Sequence, residues 1–246
     1  MDGVIGRDEA RALVGNAALW PRVRDFLWDF APQVHESWLG SSVVRWLGGE
    51  ESSQPSNHST TPPPNHQTLS SPRVKRYILE SLGVEPCFHA FPKEDGSRLL
   101  LLDAATLESL VRWLGALACA EELRKITDGA TVKTLKAALP GVYPDVFGYT
   151  AYFAFGSYLS HAETQRAQRL DETIVRVGYE ILFSIVANQP SALVSRFKLK
   201  FPKNLCDLCR SATLRETEKS RVEIKFPTIL KLLKLKFPEA YSLCCL

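Results

Sequence analysis

The chain has little of what would announce an enzyme or a membrane protein. No stretch approaches the run of about 18 apolar residues that spans a bilayer. The opening MDGVIGRDEA is too polar and too acidic for a secretory signal. Gly-x-Ser-x-Gly, His-Glu-x-x-His, the phosphate-cradling P-loop and Gly-x-Gly-x-x-Gly are all missing. The five histidines (His35, His58, His66, His89, His161) are scattered. Glu121 and Glu122 are neighbours on an expected helix, so their carboxylates point in different directions and form no acid–base pair. Nothing nominates a catalytic residue or a cofactor site, and the chain reads as a non-enzyme. Six cysteines (Cys87, Cys119, Cys206, Cys209, Cys244, Cys245) in 246 residues fit reduced thiols better than a disulfide framework. A cytoplasmic location is expected.

What is present is packing surface. Hydrophobic residues make up 45% of the chain and charged residues 23%, enough for one substantial core. Residues 7 to 47 read as helical. Pro21 suits a first helical position, and Val23, Phe26, Leu27 and Phe30 then recur at helix-face spacing. A second helix is expected over roughly Gln33 to Leu47, and Trp20, Trp28 and Trp38 are expected in a small helical core.

Residues 48–72 are rich in Ser, Thr, Pro and Asn and nearly free of large apolar side chains, so a disordered insert is expected there. It divides an N-terminal helical segment, 1–47, from a main helical domain, 73–246. In that domain Arg73 to Leu82 should form a short helix stopped by Gly83. The segment CFHAFPKEDGSRLLLLD fits either a hairpin or a loop leading into a helix, and the latter is preferred.

Asp103 to Ile126 is the best-specified stretch. Asp103 can cap the first turn, and Leu107, Leu110, Val111, Leu114, Leu117 and Ala118 form one apolar face. Gly115, Ala116 and Ala118 keep its middle thin enough for close helix approach. Asp128-Gly129 separates it from a helix over Ala130 to Leu139. Another long helix is expected from Glu163 to Val186, with Ile174, Val177, Ile181 and Ile185 on one face. The predicted fold class is therefore mostly α, an irregular multi-helix domain with a polar insert and a tail of short, proline-separated helices.

That tail, 190–246, carries 12 Lys/Arg against 5 Asp/Glu, a balance of +7, whereas residues 1–189 sum to −4. Within it Lys198-Leu199-Lys200-Phe201-Pro202 recurs as Lys234-Leu235-Lys236-Phe237-Pro238, with a partial copy at Ile224-Lys225-Phe226-Pro227. The pattern predicts a basic helix end, an inward phenylalanine and a proline opening the next helix. Its lysines (Lys198, Lys200, Lys231, Lys234, Lys236) are candidates for meeting an acidic partner. Cys206-x-x-Cys209 has the spacing of half a zinc site, but the adjacent Cys244-Cys245 are poorly shaped to complete a tetrahedron. A prenylation ending would need cysteine where Leu243 stands. A zinc- or nucleic-acid-binding tail is thus the alternative function, although lysines alone give weak, salt-sensitive nucleic-acid binding without base readout.

The segment RWLGALACAEELRKITDGATVKTLKAAL followed by PGVYPDVF, with the closing TILKLLKLKFPEAYSLCCL, resembles the SctK/YscK family of bacterial type III secretion accessory proteins. The resemblance covers about Leu99 to Phe155 and the last 50 or so residues. It implies a mostly helical, non-enzymatic cytoplasmic adaptor without cofactors. Such an adaptor links the cytoplasmic domain of an inner-membrane ring protein (SctD type) to the pod protein of the sorting platform (SctQ type). Nucleic acid is not an expected partner, and membrane association would come only through the ring. The family supplies no catalytic residues to carry over.

Overall fold

In the computed structural model the described residues are 7–38, 76–77, 79–80, 82–84, 89–153, 170–207 and 224–245. The polar insert, Cys87, Cys209 and the expected helical stretches over 39–47 and 163–169 lie outside them. The helices used below are α1 (Arg7–Gly15), α2 (Leu19–Leu27), α3 (Ala104–Ala118), α4 (Ala120–Arg124), α5 (Gly129–Ala138), α6 (Val146–Tyr149), α7 (Leu170–Val186), α8 (Ser191–Leu199), α9 (Phe226–Lys236) and α10 (Pro238–Cys245). No strand occurs among the described residues, and the fold is mostly α. The chain forms two compact units, one of Met1–Phe91 with Gln189–Cys206, the other of Pro92–Asn188 with Asp207–Leu246.

In the first unit, α2 starts two residues before Pro21. Asn16 sets that start: its side-chain oxygen accepts the amides of Ala18 (3.1 Å) and Leu19 (3.0 Å), and its carbonyl accepts that of Trp20. Leu19, Val23, Phe26 and Leu27 are buried along α2, and Phe26 meets Phe30 and Phe91 edge-on. The tryptophans do not all go inside. Trp28 is 49% exposed and leans on Trp20 at 5.8 Å.

The helix expected from Gln33 is, as far as Trp38, replaced by two 3-10 turns, Ala31–Gln33 and Glu36–Trp38. One backbone donor of the segment is taken by a distant acceptor, and two side chains tie it down beside that bond. The His35 amide donates to the Leu199 carbonyl (2.7 Å), the Trp38 indole to the Phe201 carbonyl (2.7 Å), and Ser37 Oγ accepts the Lys203 amide (2.9 Å). A backbone N–H committed to a tertiary acceptor cannot also propagate an α-helix. Near Gly83 (φ +62°), the Val84 amide closes on the Leu79 carbonyl, the left-handed stop expected there.

The second unit is organised around α3 and α7. Asp103 caps α3 by accepting the Thr106 amide (2.8 Å) and hydroxyl (2.9 Å), and Asp128 repeats the arrangement with Thr131 at α5. Those hydrogen bonds, the hydroxyl's foremost, hold the Asp128 carboxyl below its ordinary range. All six predicted apolar residues of α3 are buried.

Gly115 meets α7 backbone to backbone: a Cβ there would fall 1.9 Å from the Ile174 carbonyl oxygen, and one on Gly178 would fall 1.9 Å from that of Val111. On α7, Ile174, Val177 and Ile181 are buried, with Ile185 half-buried. The expected single helix to Ile126 breaks at Cys119, whose amide bonds back to Gly115 and Leu117 before α4 begins.

Ahead of α3, neither a hairpin nor a continuous helix forms among the described residues 89–102. Asp95 accepts the Ser97 amide (2.8 Å), Gly96 adopts φ +76°, and Ser97–Leu101 is a wholly buried 3-10 turn. Leu102 is then extended, which sets Asp103 in its capping conformation.

Candidate interaction surface on the basic tail

The five candidate lysines fall in both units, and their surroundings differ. In the first, Lys198 is half-buried at the end of α8, where its carbonyl accepts the Cys206 thiol at 3.5 Å. Lys200 is only 3% exposed, with its ammonium 4.8 Å from the Phe26 ring centre. The premise of an exposed charge therefore does not apply to Lys200. Its cation is desolvated against an aromatic face, where the attraction is strongest.

In the second unit Lys236 does the equivalent job. Its ammonium sits 4.3 Å from the rings of both Trp113 and Tyr149, which meet edge-on at 5.6 Å, and 3.9 Å from Asp145. The second lysine of each Lys-Leu-Lys-Phe-Pro copy is thus a clamp on aromatic rings. The phenylalanines follow the predicted inward pattern unevenly. Phe201 is buried against Phe197 at 5.1 Å, whereas Phe226 and Phe237 are half-buried. Pro238 opens α10 as expected, and the cysteines that follow the two copies, Cys206 and Cys244, are both buried.

Lys231 and Lys234 are different: both are exposed on α9. Lys231 Nζ donates to the Tyr152 carbonyl (3.2 Å) and lies 5.6 Å from the Tyr152 ring and 5.7 Å from that of Phe153. Lys234 Nζ is 5.9 Å from the Tyr241 ring. Two further residues join this surface that the sequence did not single out, Tyr152 (59% exposed) and Leu235 (48%). The only signal for Leu235 was numerical. TILKLLKLK contains five apolar residues, Ile229, Leu230, Leu232, Leu233 and Leu235, too many for one buried face.

Beside it, the aromatic run after Pro140 is fixed by Arg124. Its guanidinium donates to the Phe147 carbonyl (3.1 Å) and the Thr150 hydroxyl (2.6 Å) and lies 5.6 Å from the Phe147 ring. A shallow groove of about 370 Å3 runs between Leu117, Ala120, Glu121, Arg124, Thr150, Ala151 and Phe153. Its charged groups are one acid, Glu121, and one guanidinium, Arg124. As for the zinc alternative, Cys206 is buried and Cys209 lies outside the described residues. Among the described residues no three His, Cys, Asp or Glu side chains are grouped to hold a metal ion.

The model of the YOP proteins translocation protein K (YscK) family matches residues 25–244. The chain belongs to this family. The match takes in the first unit from Asp25 onward and the second as far as Cys244. This YscK protein is accordingly a type III secretion system protein, from an accessory family of that machinery. No curated protein and no solved structure matches the chain significantly.

Proposed function

We propose that this YscK protein is a non-enzymatic adaptor at the cytoplasmic face of the bacterial inner membrane. It links the cytoplasmic domain of the SctD-type ring protein to the SctQ-type pod protein, and so supports effector secretion. The observation that carries this reading is the family match over residues 25–244. The surface chemistry supports it. Among the described residues no helix is long and apolar enough to cross a membrane, and the groove and exposed lysines are suited to contact rather than catalysis. Of the tail lysines, Lys231 and Lys234 present their charge outward, Lys198 does so in part, and Lys200 and Lys236 hold the local fold from which the others project. Exposed charges of this kind set encounter rate and register. The test is purification of the tagged chain from its own bacterium after mild crosslinking. Recovery of both ring and pod proteins is expected, and recovery of neither from a well-expressed chain would remove the adaptor reading.

A further inference from the structure

Around α9 the side chains divide cleanly by face. Ile229, Leu232 and Leu233 are buried, while Pro227, Lys231, Lys234 and Leu235 are exposed. At about 100° per residue the exposed four lie within roughly 100° of one another, a single strip at spacings i, i+4, i+7 and i+8. Lys231 extends this strip onto Tyr152 through its hydrogen bond to the Tyr152 carbonyl and its position beside that ring. Two of the large apolar residues that the described chain leaves in water, Tyr152 and Leu235, are therefore joined by lysines. From Phe226 to Lys236 the helix contains no acidic residue to neutralise them.

We propose that this strip is a docking face for an acidic amphipathic helix of another protein. Leu235 and the Tyr152 ring would be covered by the partner's apolar ridge, and Lys231 and Lys234 would pair with carboxylates flanking it. The spacing is that of one helix laid along another. Charge selects the sign of the partner. An ammonium has three donors and Lys231 uses one on Tyr152, so donors remain for a carboxylate. Two lysines are too few to hold a phosphate backbone at physiological salt, whereas exposed apolar side chains between charges suit a protein surface. The assignment rests on the adaptor reading for where such a helix is found, and it separates Lys231 and Lys234 from the other tail lysines.

The test uses the full chain, with the purified ring-protein cytoplasmic domain and the purified pod protein as probes, titrated calorimetrically at low and high salt. Lys231→Glu/Lys234→Glu should weaken one of the two interactions about tenfold or more and abolish its salt dependence. Leu235→Ser, at a side chain 48% exposed, should weaken the same interaction without changing its salt dependence, and Lys234→Arg should leave it intact. Helical circular dichroism unchanged in each variant excludes unfolding as the cause. Wild-type binding that survives every substitution would overturn the docking face and leave the adaptor standing. A wild-type chain that binds neither probe would overturn both. Retention on phosphatidylglycerol vesicles, lost in the same variants, would replace the acidic helix with a lipid surface and so refute the proposal.

Discussion

Substituting alanine for Gly115 should destabilise the second unit, although alanine is the better helix former. In open water the exchange would favour the helix by about 1 kcal/mol. Here the new Cβ would lie 1.9 Å from the Ile174 carbonyl oxygen, where real Cβ atoms stay beyond 3.0 Å, and its neighbours are backbone that cannot rotate away. α3 and α7 must part by about 1 Å along their most extensive contact. Overfilling a packed interface costs about 1–3 kcal/mol and sometimes more. A backbone clash this close falls at the upper end of that range, so a net loss of about 2 kcal/mol is expected after the propensity gain. For a chain of this size that lowers Tm by roughly 4–8 °C.

Gly178→Ala should behave alike, since its Cβ would strike the Val111 carbonyl at 1.9 Å. The two losses should not add, because a separation forced by one substitution already makes room for the other. Gly148→Ala, which meets nothing within 4 Å in the short helix α6, is the matched control and should be neutral to stabilising, by at most about 1 kcal/mol. Thermal melts by circular dichroism, with urea titrations, compare the two single variants, the double variant and the control with wild type. A Gly115→Ala variant as stable as wild type, or a double variant with fully additive losses, would refute the close-packing argument.

Lys236→Met should cost about 1–2 kcal/mol by removing a cation held between Trp113 and Tyr149, while Lys236→Arg should retain most of the stability, both read from urea midpoints. The Asp145 pair at 3.9 Å is too open to account for such a loss. Burial, with a smaller contribution from Cys245, pushes the Cys244 thiol up to about 12, and Arg98 pulls the other way. Between the ordinary thiol value near 8.5 and 12 the folded chain keeps this proton while the unfolded chain has lost it. Stability should therefore fall as pH rises through that window. The fall should be shallower in Cys244→Ala by up to about 1.4 kcal/mol per pH unit. Coincident alkaline profiles for the two proteins would refute the burial argument.

Features written into neighbouring residues were legible in the sequence. Asp103 caps where its spacing to Thr106 allows, Asp128-Gly129 separates two helices, Gly83 stops a turn, and the α3 stripe is buried as its period requires. The thinness of α3 at Gly115 was legible too, but not that Gly178 would face it. What could not be read depends on partners distant in sequence. The 3-10 turns near His35 form where the Leu199 carbonyl takes the His35 amide and the Phe201 carbonyl ties down the Trp38 indole, each across more than 160 residues. The lysines of the repeat look equivalent as letters. They separate into clamps and surface charges only because Phe26, Trp113 and Tyr149 come to lie beside two of them. Trp28 is exposed because α2 already fills its inner face with Val23, Phe26 and Leu27.

The most direct test of the adaptor claim is a reconstitution on a sizing column with light-scattering mass. The ring-protein cytoplasmic domain and the pod protein are run together with and without this YscK protein. The account predicts separate peaks for the two in its absence and one ternary species of summed mass in its presence. Co-elution of ring and pod proteins without it, or failure to bridge them with it, would contradict the account.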